Sequence, residues 1–225
     1  MNIGLFFGTF NPVHRGHEAL VSSFLSSGVI DEIWIVVTPN PPHKNVSKLA
    51  PFQNRWDMLK LAFQEQPNLK LSDLEKHIPP PHYTWKTLSC LKERNPGSVF
   101  YLCIGTDTLQ TLSTWAEYQN IARYAGLLVA ERPNVSSEIP SELDSFNVQF
   151  CKHNKTDISS TQIRRAIVSG EMPGIDQLHP EVISYIRHNR LYQHLHKTGD
   201  FDPTDNPSRG GCVKDTNGPD PQNLE

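Results

Sequence analysis

Apolar residues in this chain gather in short unbroken runs. Between the runs lie longer stretches in which apolar residues recur every three or four positions. Residues 3–7 form such a run, and it stops at Gly8. A run that is apolar on both faces predicts a strand inside a sheet, because a half-exposed strand would alternate. After a turn with Asn11 and Pro12, a helical period starts at Gly16. It places Leu20, Val21, Phe24 and Leu25 on one face and ends at Gly28. Residues 32–37 (EIWIVV) read as a second buried strand, closed by Thr38 and the prolines Pro39, Pro41 and Pro42. Strand, helix and strand within about 35 residues make a βαβ unit, which predicts a parallel pair with a right-handed crossover.

The alternation continues. Phe52, Trp56, Leu59 and Phe63 predict a helix over 52–63, and 69–71 a weak strand. Residues 78–83, with three consecutive prolines, predict a loop. A helix over 84–91 is expected to be capped by Thr84. Residues 98–104 (SVFYLCI) predict a strong strand halted by Gly105, and 117–123 a short helix. Further strands are expected at 127–130 and 148–150, and closing helices at 160–168 and 181–187. This order predicts an α/β fold: a doubly wound, Rossmann-like, mostly parallel sheet with helices on both faces and a small C-terminal helical part. Ligands in such folds sit at the carboxyl ends of the strands. The expected domain covers residues 1–195. Residues 196–225 are rich in Gly, Pro, Asp and Asn and nearly lack large apolar side chains, so a disordered tail is predicted there.

Composition narrows the function classes. Apolar residues make up 37% and charged residues 20% of the 225, ordinary for a globular protein with a real core. A formal charge of -3 speaks against a dedicated nucleic-acid-binding or membrane-surface protein, though it leaves room for a local basic site. The four cysteines (Cys90, Cys103, Cys151, Cys212) are far apart with no CxxC pair, which predicts free thiols in a reducing, cytoplasmic setting. Met1 runs straight into a strand pattern, predicting no signal peptide. No apolar run approaches the roughly 20 residues needed to cross a bilayer.

Two segments carry candidate chemistry. The first is Gly8-Thr9-Phe10-Asn11-Pro12-Val13-His14-Arg15-Gly16-His17 at a strand-to-helix turn. Gly8 would let a backbone approach a ligand closely. His14 and His17, three apart, share one helical face, and the helix N-terminus adds open N–H groups. Together these suit a phosphate. The spacing alone also fits surface histidines or metal ligands, although no third ligand stands nearby in the sequence.

The second segment is Asp157-Ile158-Ser159-Ser160-Thr161-Gln162-Ile163-Arg164-Arg165. Ser159 and Gln162 form a capping-box pattern. The next amides would face an anion, with Arg164 one turn further on. An ordinary cap with a solvated arginine fits the same residues.

The first segment resembles the GxFxPxHxGH motif of the HxGH nucleotidyltransferases, matched by Gly8, Phe10, Pro12, His14, Gly16 and His17. The second is similar to their ISxTxIR element. The two lie in the right order, about 145 residues apart. In that superfamily the two histidines, and the serine, threonine and arginine of the later element, contact ATP phosphates. Other segments resemble the bacterial nicotinate-nucleotide adenylyltransferases in particular. Asn40-Pro41-Pro42-His43-Lys44 is similar to their phosphate-binding NxPPHK loop, and Tyr83-Thr84 to their YT pair. Ile104-Gly105-Thr106-Asp107 is similar to their IGxD element, where the aspartate holds a ribose. Asp107 equally fits an N-cap of the following short helix. Thr114-Trp115-Ala116-Glu117-Tyr118 is similar to TWxEY, whose tryptophan stacks on a pyridine ring. Trp115 equally fits a core residue. Ala130-Glu131-Arg132-Pro133 is similar to RRPG, with Arg132 beside the nucleotide.

The resemblance spans about residues 1–193. Phe7, Asn11, Ala116 and Glu131 depart from the common pattern; Phe7 narrows the space beside Gly8. The resemblance implies an enzyme that joins the AMP part of ATP to nicotinate mononucleotide, with Mg²⁺ accompanying ATP. His14, His17, Lys44 and Arg164 would be catalytic. Gly8, Thr9, Phe10, Gly16, Gly105, Asp107, Arg132, Ser159, Ser160 and Thr161 would join them around ATP. Asn40, His43, Lys44, Tyr83, Thr84, Asp107 and Trp115 would hold the acceptor. Nicotinamide mononucleotide or phosphopantetheine as acceptor, and a catalytically inactive nucleotide-binding module, are the alternatives. Self-association into a homo-oligomer is left open.

Overall fold

A computed structural model describes residues 1–39, 41, 49–131, 137–154 and 156–193. Asn40, His43, Lys44, Arg132, Cys212 and the predicted tail over 196–225 lie outside the described residues.

Six strands form one sheet: β1 (Asn2–Gly8), β2 (Glu32–Val37), β3 (Leu69–Ser72), β4 (Val99–Gly105), β5 (Ala125–Glu131) and β6 (Val148–Lys152). Their spatial order is β3-β2-β1-β4-β5-β6. Every pairing is parallel, so the sheet is parallel throughout. The chain winds outward from β1 on one side, then returns to β4 on the other. The crevice between the carboxyl ends of β1 and β4 is therefore the topological switch point, where such sheets bind ligands.

The helices are α1 (Arg15–Leu25), α2 (Phe52–Ala62), α3 (Thr84–Arg94), the short α4 (Thr106–Leu109), α5 (Ser160–Val168) and α6 (Pro180–His188). Alternate strand residues feed two cores, one on each face. Phe6, Ile33, Ile35, Leu128 and Ala130 pack with Phe24 of α1, Leu59 of α2, Ile163 of α5 and Ile186 of α6. Ile3, Leu5, Leu102, Leu127 and Val129 pack with Leu88 of α3 and Leu109 of α4. Burial on both faces is why these strands are apolar throughout rather than alternating.

Local details differ from the sequence expectation. Thr84 is the first residue of α3, and Tyr83, with extended backbone, is its N-cap. The short helix expected over 117–123 is a 3₁₀ helix, Tyr118–Arg123. Its entrance residue Glu117 is left-handed (φ 52), which departs from a continuous α turn. Gly28 lies three residues beyond α1 with φ 72, a backbone that favours glycine. The three cysteines among the described residues are free thiols. Among the same residues no helix is long and apolar enough to cross a membrane.

Candidate active site

A cavity of about 360 Å³ opens at the switch point. Its walls include Gly8, Thr9, Phe10, His14, Gly16 and His17 on one side and Ser159, Ser160, Thr161 and Arg164 on another. Gly105, Asp107, Tyr83, Thr84 and Trp115 complete it.

The turn after β1 builds the first wall. Phe10 takes a left-handed backbone (φ 51), which swings its ring back over Gly8. A Cβ on Gly8 would lie 2.6 Å from that ring. The glycine is thus required by its own neighbour, Phe10. Phe10 is 2% exposed and meets His17 edge-on, with ring centroids 5.0 Å apart.

His14 is the extended N-cap of α1 (φ -150). Its N–H donates to Nδ1 of His17 at 3.2 Å. In the uncharged ring of His17 the proton must then sit on Nε2, which makes that atom a donor. The two imidazoles lie with centroids 3.8 Å apart, as their spacing predicts. Gly16 between them is also demanded by packing. A Cβ there would come within 2.9 Å of Thr156 Oγ1 and 3.0 Å of the His14 ring.

Burial pulls the His14 pKa down from 6.5 to about 3. His14 is therefore an uncharged hydrogen-bonding group near neutral pH, not a cation. The consequence for stability has a definite sign. As pH falls below 6.5 the unfolded chain takes up a proton at His14 that the folded chain refuses. Native stability is expected to drop progressively toward pH 3, by on the order of 5 kcal/mol from this group. Denaturant melts of the protein and of His14→Asn between pH 7 and 4 measure this. The substitution should flatten the slope.

The second segment meets the first directly. Ser159 caps α5: the Gln162 N–H donates to Ser159 Oγ at 3.2 Å, and the Ser159 N–H donates to Gln162 Oε1 at 3.0 Å. The predicted capping box is present. Ser160 Oγ donates to the Pro12 carbonyl at 2.9 Å. Arg164 donates to the Asn11 carbonyl at 2.8 Å and to Thr161 Oγ1 at 3.3 Å, and is 6% exposed. Arg164 is therefore a buried link between distant segments, not a solvated arginine. Asn11 is fixed as well, its Oδ1 accepting from the Ala50 N–H at 2.9 Å.

Other expected site residues fall as follows. Asp107 lines the cavity from the first turn of α4, but Gly105 is the N-cap, which overturns the capping alternative. Trp115 is half-buried against the second core and also lines the cavity. Tyr83 and Thr84 bring the open N-terminus of α3 to the same wall. Asn40, His43, Lys44 and Arg132 lie outside the described residues.

Several residues at or beside the site escaped sequence reasoning. Arg55 of α2 is 1% exposed, and its guanidinium donates to four backbone carbonyls behind the turn: Thr9 at 2.7 Å, Thr38 at 2.9 Å, Pro39 at 2.9 Å and Ala50 at 3.0 Å. One signal was available, since Arg55 stands three residues after Phe52 on the buried helical face. His153 and Thr156 also line the cavity.

Glu75, in the 3₁₀ turn Leu74–His77, lines the cavity at 1% exposure and accepts from Thr87 Oγ1 at 3.0 Å. Burial pushes its carboxyl up from 4.5 to about 6, against the opposing hydrogen bonds from Thr38 and Thr87. The folded chain thus holds this proton longer than the unfolded one. Glu75 favours folding most below pH 4.5, and that contribution, about 2 kcal/mol, is lost as pH rises through 6. Glu75→Gln should remove this segment of the stability–pH curve, as read by melts between pH 4 and 7.

Residues 5–166 match the family model described as cytidylyltransferase-like. A probable nicotinate-nucleotide adenylyltransferase of Flavobacterium johnsoniae is 39% identical, over 86% of this chain and 100% of its own length. The nicotinate-nucleotide adenylyltransferase of Bacillus subtilis is 32% identical, over 85% of this chain and 98% of its own length. Among solved structures, nicotinic acid mononucleotide adenylyltransferase of Plasmodium falciparum, complexed with NaAD, superposes with a TM-score of 0.70 at 25% identity. The match covers 85% of this chain and 97% of the other. The same Plasmodium protein complexed with APC gives a TM-score of 0.71 at 24% identity. With two motifs joined across one cavity at the switch point, and relatives matched over nearly their whole length, this chain belongs to the nicotinate-nucleotide adenylyltransferase family of cytidylyltransferase-like proteins.

Proposed function

We propose that this protein transfers the adenylyl group of ATP to nicotinate mononucleotide, forming nicotinate adenine dinucleotide and pyrophosphate. The observation that carries this reading is the direct junction of the two motifs. Arg164 holds the Asn11 carbonyl, and Ser160 holds that of Pro12, beside His14 and His17. A histidine turn, a helix N-terminus and a guanidinium thus share one cavity, the combination a polyphosphate requires.

The chemistry needs no protein nucleophile. A phosphate oxygen of the acceptor forms a bond to the α-phosphorus of ATP. The bond from that phosphorus to the bridging oxygen breaks, and pyrophosphate departs with the electron pair. Two anions must be brought together, so positioning and charge stabilisation dominate. In this reading His14, as a neutral donor, His17 and Arg164 hold the triphosphate, with the amides of Ser160 and Thr161 and the edge formed by Gly8 and Thr9. Lys44, His43 and Asn40 take the acceptor's phosphate side. Tyr83, Thr84 and Trp115 take its pyridine. Asp107 accepts from ribose hydroxyls, and Arg132 approaches the nucleotide.

A divalent ion, which we propose to be Mg²⁺, accompanies ATP. Among the described residues no group of three or more His, Cys, Asp or Glu side chains is set to hold a metal. When bound, the ion neutralises charge on the phosphates.

Pyrophosphate release in the presence of ATP and Mg²⁺ tests the reading, with nicotinate mononucleotide, nicotinamide mononucleotide and phosphopantetheine supplied side by side. Release fastest with nicotinate mononucleotide is expected. A faster reaction with either competitor would reassign the acceptor. ATP binding with no release in any arm would leave a nucleotide-binding module.

A further inference from the structure

We infer that Glu75 is a positioning residue for the acceptor: it fastens the first turn of α3 to the carboxyl edge of the sheet, and so sets how tightly nicotinate mononucleotide is held. The inference rests on the acceptor reading above, in which Tyr83 and Thr84 meet the pyridine.

α3 reaches the cavity by its N-terminus, where Tyr83 and Thr84 line the wall. Tyr83 is the N-cap and makes no side-chain cap hydrogen bond. The apolar anchors Leu88 and Leu91 lie further along the helix. At the far end Lys92 donates to the Ser98 carbonyl at 2.7 Å, just before β4. Near the N-terminus the side-chain tie to another element runs from Thr87 Oγ1 to Glu75 Oε1, at 3.0 Å. The Thr87 N–H donates to the Tyr83 carbonyl at 3.4 Å. The residue that Glu75 grips is thus one helical turn from the cavity wall.

Glu75 can hold because its own turn is fixed. Leu74–His77 closely follows β3, whose Ser72 pairs with Val36 of β2. The Leu74 N–H donates to Ser72 Oγ at 3.4 Å, and its side chain is buried with Leu88 and Leu91. The Thr38 hydroxyl, just past β2, acts on the same carboxyl group. Glu75 is 1% exposed and Thr87 0%, so water does not replace their hydrogen bond when one partner is lost. A first turn set loose must be ordered again each time the acceptor binds, which costs acceptor affinity. The triphosphate wall, carried by α1 and α5, is spared.

The test is calorimetric, at neutral pH. Nicotinate mononucleotide is titrated into protein saturated with an ATP analogue that has a methylene between its α- and β-phosphorus, and the analogue is titrated into free protein. Glu75→Leu should weaken the acceptor about 10-fold and the analogue less than about twofold. Thr87→Val, which removes the donor and leaves Glu75 in place, should do the same. The double variant should be no worse than either single one, because both break one link. Glu75→Gln keeps an accepting oxygen and should recover most of the affinity. Thermal melts establish which variants fold; if Glu75→Leu does not, Thr87→Val decides. Acceptor affinity unchanged in the deciding variant overturns the inference, as does equal weakening of acceptor and analogue, or an additive double variant. Wild-type protein that binds no nicotinate mononucleotide overturns both this inference and the proposed function. Wild-type protein that binds it but releases no pyrophosphate with ATP sinks the proposed reaction alone, and the affinities still judge Glu75.

Discussion

Replacing His17 with alanine is expected to lower turnover about 100-fold while the protein stays folded. The cause is geometric. His17 receives the His14 N–H on Nδ1, so its Nε2–H is a donor with a fixed direction. A donor already aligned before the reaction stabilises charge that develops on the phosphates without reorganising. Alanine removes it, and water in the vacated space lacks the fixed orientation. Loss of one such donor costs on the order of 3 kcal/mol of transition-state stabilisation. The ring also packs on Phe10, but His17 is only half-buried, so the fold should tolerate the change. Initial rates of pyrophosphate release, with a thermal melt of the same sample, provide the measurement. Turnover near the wild-type level would remove His17 from the chemistry. Because the expected loss is in the transition state, kcat should fall far more than the KM for ATP rises.

Arg55→Leu should be the most destabilising substitution considered, by about 4 kcal/mol or more. Arg55 reaches the ends of two neighbouring strands at once. Thr9 follows β1, while Thr38 and Pro39 follow β2, and all three carbonyls accept from the one guanidinium. Ala50, at the entrance to α2, is the fourth. Burial lowers the Arg55 pKa only to about 10, with Tyr192 acting to raise it, so the group stays charged at neutral pH. Leucine would leave four carbonyl oxygens without their donor at a site water hardly reaches. Each such loss costs roughly 1–3 kcal/mol before relaxation. Urea melts should show the midpoint falling sharply with little change in slope. Arg55→Lys is expected to recover only part of the loss, since one ammonium cannot reproduce the planar fork. A midpoint within experimental error of wild type in Arg55→Leu would show that the carbonyls are served by other donors. The turn that carries Phe10 and Asn11 hangs from this anchor, so activity should weaken with stability.

Much of this protein is governed by physics that acts over a few residues. The run EIWIVV predicts Glu32–Val37 with both ends correct, because a strand buried on both faces needs unbroken apolar sequence. Ser159 with Gln162 predicts the α5 cap for a similar reason: both partners lie within one turn. The pairing of His14 with His17 is likewise a matter of helical spacing. Errors arose where several local residues could serve equally. Thr84 and Asp107 are both good caps by type, but the chain enters each helix one or two residues earlier.

What no local rule could supply is whether two segments meet. Arg164 in sequence is equally a solvated side chain or a buried link. It is the latter because the chain after the edge strand β6 returns to the turn that follows β1, which places the Asn11 carbonyl at the guanidinium. Gly8 was legible as a glycine at a turn, yet the ring that demands it depends on the left-handed backbone of Phe10. Arg55 and Glu75 are ordinary polar letters until the fold removes their water. Their roles follow from which distant groups then surround them. The sequence by itself thus determined the strands, the α5 cap and the two phosphate-type motifs. Only the tertiary structure decided which polar groups are buried together, because burial belongs to the packed chain and not to any single stretch of it.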